Sequence, residues 1–179
     1  GRLGEEGDVR GVEEGLKAME FRGVESVQII FNPFRQRPAE LFLDEAAARG
    51  VGVVCRVPLA SGLLTGALSR GDEFPEDDHR NYNRDGDAFD VGETFAGVPF
   101  EAGLDAADAV GERLPDDRPP SEFALRWILD PHPGPAALPG PPTPPHIRAN
   151  AAPRADAARP RAGRAAPAAG DHAPRARPR

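Results

Sequence analysis

The sequence has a single cysteine, and its longest apolar runs are short. One cysteine, Cys55, excludes an internal disulfide and a thiolate cage for a metal ion. No apolar run approaches the ~20 residues that a membrane-spanning helix requires. Together these features exclude a disulfide-stapled secreted domain and a helical membrane protein. We therefore expect a cytoplasmic protein with no membrane partner.

Positive charge is concentrated at the C-terminus of a chain whose formal net charge is −7. Residues 151–179 contain seven Arg and two Asp, and they contain no Val, Ile, Leu, Met, Phe, Trp or Tyr. The preceding residues are therefore strongly acidic, which argues against a nucleic-acid-binding main body. We expect 151–179 to be a disordered Pro/Ala/Arg-rich tail. Salt-dependent nucleic-acid binding by this tail remains an alternative, although it has no aromatic residue for base stacking.

Two apolar runs predict two buried strands, over residues 26–31 and 51–57. The first run is mostly apolar and β-branched and the second continuously apolar, which is typical of strands buried on both faces. Helical spacing of apolar residues predicts a helix over 11–20, and Pro and Gly signals predict another over 38–49. A strand, a helix and a strand with short connections predict an α/β fold with a parallel sheet.

The second half of the chain has a less regular pattern. Residues 60–95 have little periodicity and predict one long loop, after which a helical stripe runs from Phe100 to Val110. A further helix follows, with Ser121 as the expected N-cap. Eight of the fifteen residues 131–145 are Pro, which disfavours a continuous helix and removes strand donors.

Three sequence strings resemble one known family. Residues 57–66, VPLASGLLTG, match the segment PL-x-x-G-L-L-T-G that follows the seventh strand of the aldo-keto reductase barrel. Residues 27–32 match the sixth-strand pattern VQ…N, and residues 123–129 match the ALRW-L helix before the eighth strand. The chain thus resembles the C-terminal half of an aldo-keto reductase over residues 1–130, and more faintly to Asn150.

The resemblance implies a partial (β/α)8 TIM barrel with strands five or six to eight at most. A complete barrel takes about 250 residues, more than the 179 here. We expect 1–130 to form the partial barrel and 131–150 to form a degenerate eighth-strand and adenosine-site segment. Four strands at most cannot close a barrel, and their open edges would favour self-association.

Because the barrel cannot close, we expect a fragment or the product of a disrupted gene. The change in composition after Asp130 resembles a family sequence read out of frame.

The resemblance also implies NADPH as cofactor and an aldehyde or ketone as substrate. The residues at matching cofactor-binding positions are Gln28, Arg56, Pro58, Leu59, Ser61, Leu63, Thr65, Thr143 and Asn150. The Gln in this position of the family binds the nicotinamide carboxamide, whereas without the motif Gln28 reads as an ordinary polar strand residue. Arg56 replaces the usual aromatic residue, and a guanidinium can stack on nicotinamide or pair with a phosphate. A solvent-facing strand end is the alternative for Arg56.

The turn after the second strand is the expected pyrophosphate contact. Its glycines permit close backbone approach, and free N–H groups can donate to phosphate oxygens. Ser61 and Thr65 offer additional hydroxyl donors. Residues 139–150 echo the family's adenosine-phosphate segment, with Thr143 and Asn150 conserving the residue type and extra prolines interrupting it.

The catalytic Tyr, Lys, Asp and His of the family have no counterparts here, so we assign no catalytic residue. The only tyrosine, Tyr82, lies in the predicted loop, and the only lysine, Lys17, lies on the first predicted helix. We also assign no metal site, because His79 beside Asp77 and Asp78 has no second His nearby. A non-enzymatic half-barrel that needs a partner chain is therefore the main alternative to a reductase.

Overall fold

A computed structural model of the chain describes residues 12–130, 135–140 and 143–155, without the side chains of 38–41 and 153–155. The helices and strands in chain order are α1 (12–18), β1 (Ser26–Ile30), α2 (Arg37–Ala48), β2 (Gly52–Arg56), α3 (His79–Tyr82), α4 (Phe100–Gly111), α5 (Pro120–Leu129), β3 (Ala136–Ala137) and α6 (Pro144–Ala155). Residues 1–11, 131–134, 141–142 and 156–179 lie outside this description, and so does most of the predicted basic tail.

The predicted α/β architecture and parallel strands are confirmed. The described strands form one sheet in the order β1-β2-β3, and both pairs are parallel. In register, Ser26 lies opposite Gly52 and Ile30 lies opposite Arg56. The carboxyl ends of β1 and β2 therefore lie side by side at one edge of the sheet.

One face of the sheet carries the first of two hydrophobic clusters. Val53 and Cys55 on β2 point to this face and pack against α1, α2 and α5, with Phe42 of α2 only 1% exposed. Burial of these side chains contributes about 1.5–3 kcal/mol for each large one. Burial also raises the pKa of the Cys55 thiol to about 12, which keeps the thiol protonated.

The opposite face of the sheet is open, and the prediction that β1 is buried on both faces is wrong. Side chains alternate along a strand, so Gln28, Ile30, Val54 and Arg56 share this second face. Gln28 is exposed and the other three are half-buried. The physical reason is that the described helices cover one face only, and β1 is an edge strand of the sheet.

Residues 60–95 are not one irregular loop. They contain 3₁₀ segments at Ala60–Thr65 and Val91–Glu93 and the short helix α3, and another 3₁₀ segment follows at Phe95–Gly97. A second hydrophobic cluster holds these pieces against α4 and α5; its buried members are Ala60, Leu63, Leu64, Phe95, Ala96, Phe100, Leu104 and Ala124. The segment is thus a packed layer of the protein, which sparse periodicity did not indicate.

The prediction that Ser121 caps α5 is also wrong. The helix begins at Pro120 with Pro119 at the N-cap, and no side chain caps it. Proline suits the first turn because its fixed φ is helical and the N–H it lacks would have no partner there. Ser121 is instead part of the first turn.

The Pro-rich segment retains some regular structure. β3 has two residues, Ala136 and Ala137, which pair with Val54 and Cys55 of β2. The predicted eighth-strand position therefore holds a very short strand. Helix α6 then crosses the predicted boundary between residues 150 and 151, so 151–155 are helical and not part of a disordered tail. Its first two residues are prolines, which an N-terminal turn accepts.

Candidate functional site

The candidate site lies where β1 and β2 end. Gln28 and Arg56 lie on the same face of the sheet, on neighbouring strands, as the register of Gln28 with Val54 and of Ile30 with Arg56 requires. In α/β folds with parallel strands, ligands bind at the carboxyl ends of the strands. The structure thus brings Gln28 and Arg56, the two side chains predicted to contact the nicotinamide, to the same end of the sheet. This rim consists of the carboxyl ends of β1 and β2.

Asn32 fixes the spacing of this rim. Its side chain is fully buried, and its Nδ2 donates to the carbonyl of Val57 at 2.9 Å. Its Oδ1 accepts from the N–H groups of Phe34 at 2.9 Å and Arg35 at 3.1 Å. The bond to Val57 therefore joins the end of β1 to the end of β2, and the bonds from Phe34 and Arg35 hold the turn that follows β1. The sequence placed Asn32 only as a strand terminator within the VQ…N pattern, without this structural role.

The turn after β2 has an unusual backbone. Val57, Ala60 and Ser61 have φ of 50°, 48° and 54°, a region that residues with a Cβ rarely adopt. Gly62 follows at φ 105° and Gly66 at 75°. Each such non-glycine residue costs of order 1–3 kcal/mol and persists only where its surroundings hold it, as is common at binding sites. The two glycines are where the sequence predicted close backbone approach.

The hydroxyl groups proposed as phosphate donors already have partners. Ser61 Oγ donates to the carbonyl of Glu93 at 3.0 Å and accepts from the N–H of Phe95 at 3.1 Å. Thr65 Oγ1 donates to the carbonyl of Gly62 at 2.6 Å. A hydroxyl has one hydrogen, so in this structure neither group has a donor left for a phosphate oxygen. Both hydroxyls instead stabilise the turn.

Ser61 is also near a His and an Asp, but the arrangement does not form a nucleophilic triad. His79 Nε2 is 3.5 Å from Ser61 Oγ, and His79 Nδ1 is 3.5 Å from Asp78 Oδ1. The Ser61 proton is already donated to a carbonyl, and Asp78 is bound by Arg80 through Nη2 at 2.6 Å. Arg80 lowers the pKa of Asp78 to about 2, so this carboxylate is charged, pairs with Arg80 and caps α3.

Arg56 forms an ion pair with Glu93, which was not identified from the sequence. One terminal nitrogen of the guanidinium donates to Glu93 Oε1, and Arg56 Nε is buried with no hydrogen-bond partner. The Arg56 side chain is 38% exposed and that of Glu93 is 23% exposed. The two residues are 37 positions apart. No local motif could have linked them.

The other predicted cofactor residues are distributed around this rim. Pro58 is buried and Leu59 is half-buried, whereas Leu63 is 1% exposed and packs against Gly103 of α4. Only the backbone of Leu63 is therefore suited to contact a ligand. Leu63 instead anchors the turn in the second hydrophobic cluster.

Thr143 and Asn150 lie on the C-terminal segment. Thr143 Oγ1 is 2.8 Å from His146 Nδ1 at the start of α6, and Asn150 is half-buried within that helix. Helix α6 contacts α5, which in turn contacts the 3₁₀ turn at Ala60–Thr65. Helix α6, which carries Asn150, is thus linked to the turn after β2 through α5.

Tyr82 and Lys17 do not lie at strand ends. Tyr82 is on α3, 47% exposed, with its ring edge-on to Phe89, and Lys17 is on α1. No group of three or more His, Cys, Asp or Glu suited to a metal ion occurs among the described residues. Within the same residues, no helix has the length and apolar character needed to cross a membrane. The cytoplasmic location stays a prediction.

Comparison with known proteins identifies the family. The sequence profile of the aldo/keto reductase family matches residues 8–155. The chain belongs to the aldo/keto reductase family. The described residues of this aldo/keto reductase chain, including the rim and α6, fall within the matched range.

The chain is also similar to individual proteins over part of their length. The aldo/keto reductase chain is 37% identical over 60 residues to aldo-keto reductase yakc [NADP(+)] from Schizosaccharomyces pombe, a stretch covering 32% of this chain and 18% of that protein. The glycerol dehydrogenase AKR11B4 from Gluconobacter oxydans is 26% identical, with 73% of this chain and 42% of that chain covered at a TM-score of 0.48. Apo AKR11C1 from Bacillus halodurans is 24% identical, with 76% and 40% covered at a TM-score of 0.49. The chain thus spans less than half the length of these relatives.

Proposed function

We propose that this chain forms part of a (β/α)8 barrel and holds part of the NADPH site of a reductase that acts on an aldehyde or ketone. The observation that carries the proposal is the rim, where Gln28 and Arg56 share one sheet face beside a turn of left-handed residues. The family assignment supports the reaction class, and the NADP(+) in the name of the fission-yeast relative supports the choice of cofactor.

The residues present fit this cofactor. NADPH supplies a hydride to the carbonyl carbon of the substrate. The exposed amide of Gln28 has both donors and an acceptor, which suits a carboxamide. Because the hydroxyls of Ser61 and Thr65 are engaged, the pyrophosphate is assigned to backbone N–H groups of the turn that includes Pro58 and Leu59. Pro58 itself has no N–H, and those of Ala60 and Gly62 already donate to the carbonyls of Val57 and Leu59. Leu63 holds this turn in place from the core.

The adenosine end of the cofactor is assigned to Thr143 and Asn150. Their residue types match the family segment, Thr143 directly precedes α6 and Asn150 lies on it, and α6 packs on α5, which also supports the turn after β2. The proton that the product alcohol requires must come from a group outside this set, because Tyr82 and Lys17 lie on helices away from the strand ends. We therefore propose that the chain alone binds NADPH without turning over substrate.

The proposal is tested by titrating the purified chain with NADPH and following the cofactor fluorescence. We expect saturable binding and no oxidation of NADPH on adding a simple aldehyde. Gln28→Ala should weaken binding about fivefold, which corresponds to one lost hydrogen bond of ~1 kcal/mol. Gln36→Ala is the matched control, because Gln36 is also exposed but precedes α2 and donates to the Pro33 carbonyl. Absence of binding by the unaltered chain would contradict the proposal.

A second candidate function is a half-barrel that completes its sheet with another chain. Among the described residues, Ile30 and Val54 lie on a sheet face that no helix covers and β1 has a strand on one side only, and both features favour it. Exposed edge strands pair readily with other strands. Light scattering of the purified chain during gel filtration distinguishes the two: a stable dimer supports the pairing, and a monomer that binds NADPH contradicts it.

A further inference from the structure

Arg56 presents at the rim a guanidinium whose positive charge is paired with a carboxylate. It is the last residue of β2, and one of its terminal nitrogens is bound edge-on by the Glu93 carboxylate. Its Nε is buried without a hydrogen-bond partner, so that donor faces away from any incoming ligand. Two of the positions that a phosphate would use for a fork-like contact are therefore unavailable. The positive charge is also compensated by a carboxylate that is itself largely buried.

Glu93 is fixed from both its backbone and its side chain. It ends the 3₁₀ segment Val91–Glu93, which Asp90 caps by accepting from the N–H of Gly92 at 2.8 Å. Its carbonyl accepts the Ser61 hydroxyl at 3.0 Å, and its carboxylate accepts from Arg56. Both contacts come from the end of β2 and the turn that follows. The orientation of Glu93 is thus coupled to that of the rim.

We propose that Glu93 is a positioning residue, which holds the guanidinium plane of Arg56 as a charge-compensated platform for the nicotinamide ring. The inference rests on the function proposed above. A planar, delocalised guanidinium stacks on flat rings, and an edge-on carboxylate leaves that plane unused. A two-pronged phosphate contact at Arg56 would instead compete with this charge-assisted bond.

Charge compensation gives this role a specific signature. The nicotinamide ring is neutral in NADPH and carries a positive charge in NADP⁺. A bare guanidinium against the oxidised ring places two positive charges together, whereas the Glu93 carboxylate offsets that repulsion. Removing the charge of Glu93 should therefore weaken NADP⁺ binding more than NADPH binding. A residue with a merely structural role would weaken both equally.

The test uses calorimetric titration of the purified chain with NADPH, NADP⁺ and 2′-phospho-ADP-ribose, which keeps the pyrophosphate but has no nicotinamide. For Glu93→Gln we expect NADP⁺ affinity to fall roughly threefold to tenfold more than NADPH affinity, as screened repulsion between two charges near a protein surface suggests. Affinity for 2′-phospho-ADP-ribose should stay unchanged. Glu76→Gln is the matched control, because Glu76 is exposed in the same stretch of chain.

Substitutions at Arg56 complete the design. Arg56→Phe keeps a flat, uncharged surface and should retain both nicotinamide ligands, and adding Glu93→Gln to it should have no further effect. Arg56→Lys keeps the charge beside Glu93 but has no plane, so it should lose nicotinamide affinity while binding 2′-phospho-ADP-ribose normally. Arg56→Lys also tests the proposal if Glu93→Gln does not fold.

Contrary results are distinct from one another. If Arg56→Phe abolishes 2′-phospho-ADP-ribose binding, or Glu93→Gln strengthens it, Arg56 is a phosphate ligand and the inference is wrong. If Glu93→Gln changes NADPH and NADP⁺ affinities by the same factor, the inference is also wrong, and the proposed function stays intact. Failure of the unaltered chain to bind any of the three ligands would contradict the proposed function itself.

Discussion

Gly103→Ala tests whether the turn after β2 is packed onto α4 as closely as the structure shows. A Cβ built on Gly103 would lie 2.5 Å from Leu63 Cδ1, 3.2 Å from Cδ2 and 3.5 Å from Cγ. Leu63 is 1% exposed and lies within the second hydrophobic cluster, so its side chain has little room to move. The added methyl group therefore overpacks this contact.

Two opposing effects determine how much Gly103→Ala changes the free energy of unfolding. Replacing Gly by Ala within a helix gains about 1 kcal/mol from helix propensity. Overpacking a close-packed core costs typically 1–3 kcal/mol. The net change in the free energy of unfolding should therefore be a loss of up to about 2 kcal/mol. Gly111→Ala, at the end of the same helix, meets nothing within 4 Å and should stabilise the protein by about 0.5–1 kcal/mol.

Urea unfolding monitored by tryptophan fluorescence measures both variants. Trp127, the single tryptophan, packs on Phe31 with 5.0 Å between ring centroids and reports on the folded core. We expect the two substitutions to shift the midpoint in opposite directions. If Gly103→Ala stabilises the chain as much as Gly111→Ala does, the close contact between Leu63 and α4 is absent and the anchoring of the turn is refuted.

Three further predictions follow from buried or paired groups. Asn32→Ala should lower the free energy of unfolding by about 2–3 kcal/mol, because three bonds are lost in a buried site, whereas Asn81→Ala, exposed with one bond, should cost under about 1 kcal/mol in the same urea assay. The Arg80 guanidinium lowers the pKa of Asp78 from 3.8 to about 2, so the stability from this pair is present above pH 4 and is lost as pH falls towards 2. Asp78→Asn should remove that part of the acid dependence, about 1 kcal/mol or less after solvent screening, in thermal melts across this pH range. The Cys55 thiol, with its pKa raised to about 12, should resist iodoacetamide at pH 8 until urea unfolds the chain; rapid labelling of folded protein would contradict its burial.

The strands and the helix between them were predictable because their signals are local. The apolar runs at 26–31 and 51–57 correspond to β1 and β2, and the predicted helix 38–49 corresponds to α2 within one residue at each end. Continuous apolar runs favour a parallel sheet, which the register confirms. The exposure of β1 was not predictable, because burial depends on which elements cover each face of the sheet.

The packed layer between β2 and α4 was missed for a different reason. Its order depends on pairs far apart in sequence, such as the Ser61 hydroxyl with Phe95 N–H and Asn83 Nδ2 with Thr94 Oγ1 at 3.0 Å. Neither pair produces a periodic pattern. Helix α5 starts at Pro120 because proline fits the first turn of a helix. The general preference for Ser at the N-cap therefore predicts the wrong start here.

The candidate site was predictable in part. Sequence motifs identified Gln28 and the turn after β2, and the structure places Gln28 and Arg56 on one face beside that turn. The assigned ligand contacts of these residues stay predictions. The role of Glu93 was not predictable from the sequence, because the carboxylate that pairs with Arg56 comes from a 3₁₀ segment far along the chain.

The three hydrogen bonds of Asn32 have a thermodynamic consequence for any ligand at the rim. The bond to Val57 ties the ends of both strands together, the other two hold the turn after β1, and contacts within the protein itself keep the left-handed residues after β2 in place. A ligand that docks here therefore loses little affinity to the ordering of backbone. We therefore expect only a small loss of conformational entropy of the protein on binding. Substitution of Asn32 should increase this entropy loss, because the backbone at the rim would then become ordered on binding.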